Sequence, residues 1–191
     1  MLALRIATTT AWLDAVLADL TAFLQDHAAN ERKVVQSALQ LAAHYPTRPG
    51  LAAAMAELAA EELSHFDAVR KLLEDVDAGL DFDRPDPYIS ELRRHFRKAD
   101  ANAYLLDRLV VFAIVEARGC ERFSMVAEAL QDGPIRRFYV DLVRSEARHH
   151  GLFLRLARAY FPFEVVQTRL DELLSAEAAI VSALPIRAAL H

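Results

Sequence analysis

The chain has 191 residues, 54% of them hydrophobic and 26% charged, with a net charge of −5, five glycines and one cysteine. This composition favours helix and supplies enough apolar material for one domain over residues 1–191. It excludes an internal disulfide and any multi-cysteine metal site, and it argues against a general nucleic-acid binder, whose phosphate affinity needs clustered Lys and Arg.

The N-terminal stretch MLALRIATTTAWLDAV carries one Arg and no long apolar run before Asp14, which makes a poor leader. No stretch approaches the roughly 20 apolar residues of a membrane span. With a lone Cys120, the expected location is a reducing cytoplasm.

Residues 10–45 read as helix with a break near Asp19–Thr21 and an N-cap among Thr8, Thr9 and Thr10. Its inward stripe is Leu13, Leu17, Leu20, Leu24, His27, Glu31, Val34, Ala38 and Leu41. Tyr45 to Gly50, with two prolines, is a turn. A second helix covers about Leu51–Glu74, with stripe Leu51, Met55, Leu58, Glu62, His65, Val69 and Leu72. Glu61 falls roughly 100° from Glu62 on the wheel and off this seam.

Residues 75–87 read as a long crossover, followed by a short helix from Pro87 to Phe96 capped by Asp86. A third long helix spans about Ala101–Leu130, with stripe Leu105, Leu109, Phe112, Glu116, Cys120 and Phe123; Glu121 lies off it. Gln131 to Pro134 is a turn, and a fourth helix runs to Tyr160 with stripe Ile135, Phe138, Leu142, Glu146, His149, Phe153 and Leu156. A fifth helix, Phe163 to Leu184, closes the chain.

Four apolar seams are thus interrupted by ionisable residues in the order Glu31, Glu62-x-x-His65, Glu116, Glu146-x-x-His149. Positions i and i+3 share a helix face, so each Glu-x-x-His aims a carboxylate and an imidazole at one point. The pattern repeats: Glu31 and Glu116 are 85 residues apart, while Glu62 and Glu146 are 84 apart. A lone Glu-x-x-His is usually a solvated pair, but two copies, each partnered by a seam Glu, match the ligand set of a carboxylate-bridged di-metal site. The fold expected is therefore all-α, a ferritin-like four-helix bundle with a long crossover and additional short and C-terminal helices.

Four buried carboxylates without counter-charge would cost several kcal/mol per ion, and two divalent cations would balance them. Oxygen-rich donors with one imidazole per metal suit iron or manganese rather than zinc, and two irons are the expected pair, ahead of manganese. His150 is one step off the spacing and reads as a supporting or surface residue, or as a substitute ligand. His27, Tyr104 and Tyr139 read equally well or better as packed core. Two runs of cations, Arg93, Arg94, His95, Arg97 and Lys98, then Arg136, Arg137, Arg144, Arg148, Arg155 and Arg158, have solvated helix faces as their plainer reading.

The segments DHAANERKVV, ELAAEELSHF, LLDRLVVFAIVEARGCERF and FYVDLVRSEARHHGLF resemble the MiaE family of tRNA hydroxylases. The resemblance runs from about Asp26 to the C-terminus, and the flanks are more diagnostic than the ligands. It implies a non-haem di-iron monooxygenase that uses O2 and external electrons to hydroxylate the isopentenyl tail of 2-methylthio-isopentenyladenosine beside the anticodon of tRNA. It implies Glu31, Glu62, His65, Glu116, Glu146 and His149 as iron ligands, with no catalytic residue beyond them.

The C5 tail would sit among some of Phe23, Phe66, Phe112, Phe123 and Phe153, with Phe66 and Phe112 as the candidate contacts. Arg93, Arg94, Arg97 and Lys98 would contact the anticodon loop. No flavin or nicotinamide fingerprint is present, so the electrons would come from a reductase or ferredoxin-type partner. The other readings are a ferritin-like di-iron oxygenase acting on another substrate, and an iron-binding protein.

Overall fold

The computed structural model describes residues 3–191; Met1 and Leu2, which begin the stretch read as a poor leader, lie outside the described residues. All regular structure among the described residues is helical: α1 (Thr10–Ala18), α2 (Leu20–His44), α3 (Leu51–Asp75), α4 (Pro87–Arg94), α5 (Ala101–Ala129), α6 (Pro134–Tyr160) and α7 (Phe163–Ala183). Among the described residues no helix is long and apolar enough to cross a membrane. Two compact units are distinguished: Asp14–Arg84 with Arg187–Leu190, and the N-terminal segment through Leu13 with Pro85–Ile186 and His191.

The first unit is built on the α2–α3 hairpin. The expected break before α2 falls at Asp19, whose backbone leaves the helical region and whose side chain accepts the Ala22 N–H at 3.0 Å. Phe23, Leu24, Ala38 and Leu41 of α2 and Leu51, Met55, Leu58, Val69 and Leu73 of α3 form its interior. Each of the Phe, Leu, Met and Val side chains among them contributes about 1.5–3 kcal/mol when fully buried. The turn ends at Gly50, held at φ +74°, a left-handed conformation natural to glycine.

The far end of α3 closes in a Schellman motif. Asp77 N donates to Glu74 O at 3.0 Å and Ala78 N to Leu73 O at 2.9 Å, with Asp77 itself at φ 56°. In the same unit the C-terminal tail is tied down by Leu190 N, which donates to Asp26 Oδ2 at 2.7 Å.

The second unit is built on the α5–α6 hairpin, against which α7 packs, with α4 on α7. Eighteen of the 29 residues of α5 are buried, including Asp107, Arg108, Glu116, Arg118 and Arg122, so this helix is covered on nearly every side. Asp86 caps α4 and Asp100 caps α5, each accepting an N–H three residues on. Pro134 stands in the first turn of α6. The short helix expected to reach Phe96 ends at Arg94, where His95 caps it.

Asp107 ties this unit together. Its carboxylate is fully buried and accepts from Arg97 N at 2.7 Å, Arg97 Nη2 at 2.7 Å and Arg169 Nε at 2.7 Å. Burial alone would raise its pKa; the hydrogen bonds from Arg97 and Arg169 outweigh that and hold it below the ordinary carboxylate value. A depressed folded pKa adds stability above the unfolded value, near 3.9, and loses it as pH falls through the folded value. Asp107→Asn is expected to cost about 1–3 kcal/mol at neutral pH. Urea unfolding should show that deficit shrinking as pH falls below the unfolded value, near 3.9, and on through the depressed folded one.

Candidate metal centre

Within the first unit, α2 presents Glu31 and α3 presents Glu62 and His65. One donor atom from each lies within 4.8 Å of the others. Both carboxylates are buried, and His65 Nδ1 stands 2.8 Å from Glu62 Oε2, the contact that i,i+3 spacing allows. The neighbouring Glu61 is only half-buried, which agrees with its position off the seam.

His27, one turn before Glu31, is fully buried, and its Nε2 lies 2.5 Å from Glu31 Oε1. Burial, aided by the nearby His65 and opposed by Glu62, lowers its pKa to about 3. At neutral pH this contact is therefore a hydrogen bond from a neutral imidazole to a carboxylate. It fixes the rotamer of Glu31, a role that stripe position alone did not distinguish from core packing.

Within the second unit the arrangement recurs. Glu116 of α5 and Glu146 and His149 of α6 are all buried, with donor atoms within 4.8 Å of one another. His149 Nδ1 is 3.7 Å from Glu146 Oε2. Glu121 turns away and accepts from Thr8 Oγ1 at 2.7 Å and Arg118 Nη1 at 2.5 Å. His150 is buried and its Nδ1 meets the Ala113 carbonyl at 3.2 Å, so it is a packing residue of the α5–α6 seam rather than a surface one. Cys120 is fully buried; burial and then Glu146 push its thiol pKa up, so it stays protonated.

The donor chemistry of each triad fits a hard divalent ion. Each offers two carboxylates and one imidazole from rigid helices, and one dication per triad balances the buried negative charge. In the first unit the i,i+3 pair is oriented by its own hydrogen bond, His65 to Glu62.

The other expected residues fall as follows. Phe112 is half-buried and stacks on Phe153 at 4.9 Å, while Phe123 stacks on Tyr139 at 5.4 Å. Phe66 is half-buried, and Phe23 lies 6.3 Å from His27. Tyr104 packs edge-on against Phe96 and beneath Arg108, far up α5 from Glu116. Arg93, Arg94 and Lys98 are exposed; Arg94 pairs with Glu91 at 3.0 Å, and Arg97 is committed to Asp107.

Sequence reading missed a buried ionic cluster. Arg118 and Glu177 are both fully enclosed, and Tyr88 Oη donates to Glu177 Oε1 at 3.2 Å. Burial, then Glu177, raises the Tyr88 pKa well above its ordinary value. The only signal in the chain was an Arg two residues after Glu116, on the buried side of a helix that is covered nearly all round.

All-helical, with a Glu and a Glu-x-x-His on each long hairpin, the chain is of the ferritin-like class. A solved structure named protein 43 with aldehyde deformylating oxygenase activity, from Synechococcus, superposes with a TM-score of 0.94 at 34% identity, over 100% of this chain and 96% of that one. The family model described as tRNA-(MS[2]IO[6]A)-hydroxylase (MiaE) matches residues 2–191, and the chain belongs to that family.

A tRNA 2-(methylsulfanyl)-N(6)-isopentenyladenosine(37) hydroxylase of Pseudomonas putida is 42% identical over 153 residues, 80% of this chain and 74% of that protein. A hydroxylase of the same name from Salmonella typhimurium is 36% identical over 111 residues, 54% of this chain and 38% of that protein.

Proposed function

We propose that the chain is an O2-dependent tRNA hydroxylase acting on the isopentenyl group of 2-methylthio-isopentenyladenosine next to the anticodon. The observation that carries the substrate is the family match across residues 2–191, supported by 42% identity to the Pseudomonas enzyme. The class of chemistry is supported by the two buried triads. In this reading residues 1–191 act as one ferritin-like domain, and Glu31, Glu62, His65, Glu116, Glu146 and His149 would hold two irons.

A di-iron centre held there supplies the reduction of O2 that places one oxygen atom in a C–H bond and releases the other as water. The protein's part is positional. His27 fixes Glu31, His65 and Glu62 fix one another, and the aliphatic and aromatic seams keep bulk water from the buried carboxylates. Phe66 and Phe112 are proposed to flank the C5 tail, and Arg93, Arg94 and Lys98 to face the anticodon loop. Arg97 keeps its place with Asp107. The two electrons per turnover come from an external reductase or ferredoxin-type donor in the cytoplasm.

The test is to incubate iron-loaded protein, reductant and O2 with tRNA carrying the modified base, then digest it and weigh the nucleosides. One added oxygen atom is expected on the hypermodified adenosine; its absence rejects the substrate. A second reading, oxygenation of an aldehyde, is favoured by the Synechococcus structure at 34% identity. It gains if the same preparation turns over a fatty aldehyde and leaves the tRNA unchanged.

A further inference from the structure

The outer face of α6 carries a stripe of arginines that the proposed chemistry does not use. Helix α6 holds six arginines against Asp141 and Glu146, a net of +4, whereas the whole chain is −5. The remaining residues therefore carry −9, and positive charge is concentrated on one helix of an acidic protein.

The placement on that helix is regular. Arg137, Arg144, Arg148 and Arg155 follow at intervals of seven, four and seven residues and are all exposed. At roughly 100° per residue they fall within about 40° of one another, on the side roughly opposite Glu146 and His149. The stripe is about 27 Å long at about 1.5 Å rise per residue.

Two of its ion pairs lie in solvent. Arg144 meets Asp141 at 3.3 Å and Arg137 meets Asp132 at 3.6 Å, both pairs being well exposed to solvent. Arg148 donates to Arg144 O and to Ser145 Oγ, both at 3.2 Å, an arrangement that extends its guanidinium along the helix. Exposed pairs of this kind are readily screened and exchanged for a stronger acceptor. All six cations are Arg and none is Lys; the planar guanidinium forms paired hydrogen bonds to phosphate that an ammonium cannot. The rival run at the end of α4 is shorter of free cations, because Arg97 is held by the buried Asp107.

We propose that the arginine stripe Arg137–Arg144–Arg148–Arg155 on α6 is a docking surface for the phosphate backbone of the tRNA substrate. This rests on the tRNA reading above. Because the same helix bears Glu146 and His149 on its other face, phosphates bound along it set the register of the RNA on a rigid element of the metal centre. The contacts are to backbone, so they position the RNA without reading its sequence.

The experiment measures binding of the iron-loaded full chain to tRNA bearing the 2-methylthio-isopentenyl base, between about 50 and 200 mM salt. An R137Q/R144Q/R155Q variant is compared with wild type and with R93Q/K98Q. Circular dichroism and iron content serve as folding controls. For the α6 variant, affinity is expected to fall on the order of 10-fold or more, with the slope of log K against log salt shallower by about 2. R93Q/K98Q should lose less.

Unchanged affinity and slope in a folded α6 variant would overturn the proposal while leaving the substrate assignment intact. So would tRNA binding that is unchanged alongside slower reduction by a protein electron donor, which would make the stripe the donor's site. A wild type that hydroxylates another substrate and does not bind tRNA overturns the substrate reading and the stripe together.

Discussion

Glu116→Ala is expected to abolish both iron loading and hydroxylation while leaving the helices in place, and His149→Ala should do the same. Both side chains are buried in the α5–α6 unit, with their donor atoms within 4.8 Å of Glu146. Changing a group that merely orients a metal ligand costs about 10–100-fold in affinity or activity, so deleting a ligand is expected to exceed about 100-fold. The stability consequence runs the other way in the metal-free protein. Glu116 and Glu146 are like charges held close together away from water, and removing one relieves their repulsion. Apo Glu116→Ala is expected to melt no lower than apo wild type.

Iron binding stabilises the native state by mass action, so wild type should melt higher on adding Fe(II) and the variant should not. Metal analysis, oxygen-transfer assay and melting with and without iron give three separate readouts. Two irons per chain with full turnover in Glu116→Ala would remove Glu116 from the ligand set. The effect of His27→Ala should be milder, since His27 hydrogen-bonds Glu31 and is not itself one of the proposed ligands.

The helices and the ionisable residues on their seams were legible because both follow from periodicity. An apolar stripe at three- and four-residue spacing must face inward, and a Glu that replaces a Leu on that stripe is carried into the core with it. Burial duly separates Glu62 from Glu61 and Glu116 from Glu121. The break expected near Asp19–Thr21 falls at Asp19, which caps α2 through its side chain.

What periodicity could not show is pairing between elements distant in sequence. Asp107 looked like one acid in a long helix until Arg97 and Arg169 were brought to it from ten and 62 residues away. Arg97 looked free for RNA for the same reason. His150, one step off the ligand spacing, read as a supporting or surface residue; on an α-helix covered on more than one side, consecutive residues can both be buried, and it is.

Glu177→Ala is expected to be the most destabilising of the substitutions considered, by about 3–5 kcal/mol, because it removes the buried carboxylate that clasps a buried guanidinium at two points. Arg118 has no exposure to solvent. Its Nε donates to Glu177 Oε1 at 2.8 Å and its Nη2 to Glu177 Oε2 at 3.1 Å, a two-point clasp, while Nη2 also reaches Ile6 O at 3.1 Å and Nη1 reaches Thr8 Oγ1 at 3.2 Å. Burial by itself would lower the Arg118 pKa; Glu177 outweighs it and raises the pKa, so the charge persists.

Next to it, Arg122 stacks over Trp12 at 4.9 Å, with its pKa lowered to about 10 chiefly by burial. Removing Glu177 therefore leaves two neighbouring buried cations with Glu121 as the remaining acid among the residues that contact Arg118. At about 2–4 °C per kcal/mol for a chain of this size, the melting midpoint should fall by roughly 6–20 °C. Glu177→Gln, which keeps acceptors but not charge, should fall between wild type and Ala.

The decisive control is the double variant Arg118→Met/Glu177→Leu. Replacing a whole buried pair by apolar groups is often neutral or better, so it should recover most of the loss and give a large favourable coupling in a double-mutant cycle. A fall of less than about 2 °C in Glu177→Ala would mean that water reaches Arg118 and that the cluster is not the clasp between α5, α7 and the N-terminal segment that its hydrogen bonds describe. Because Arg118 stands two residues from Glu116, a loosened clasp should also weaken iron binding in Glu177→Ala, and the double variant should restore it.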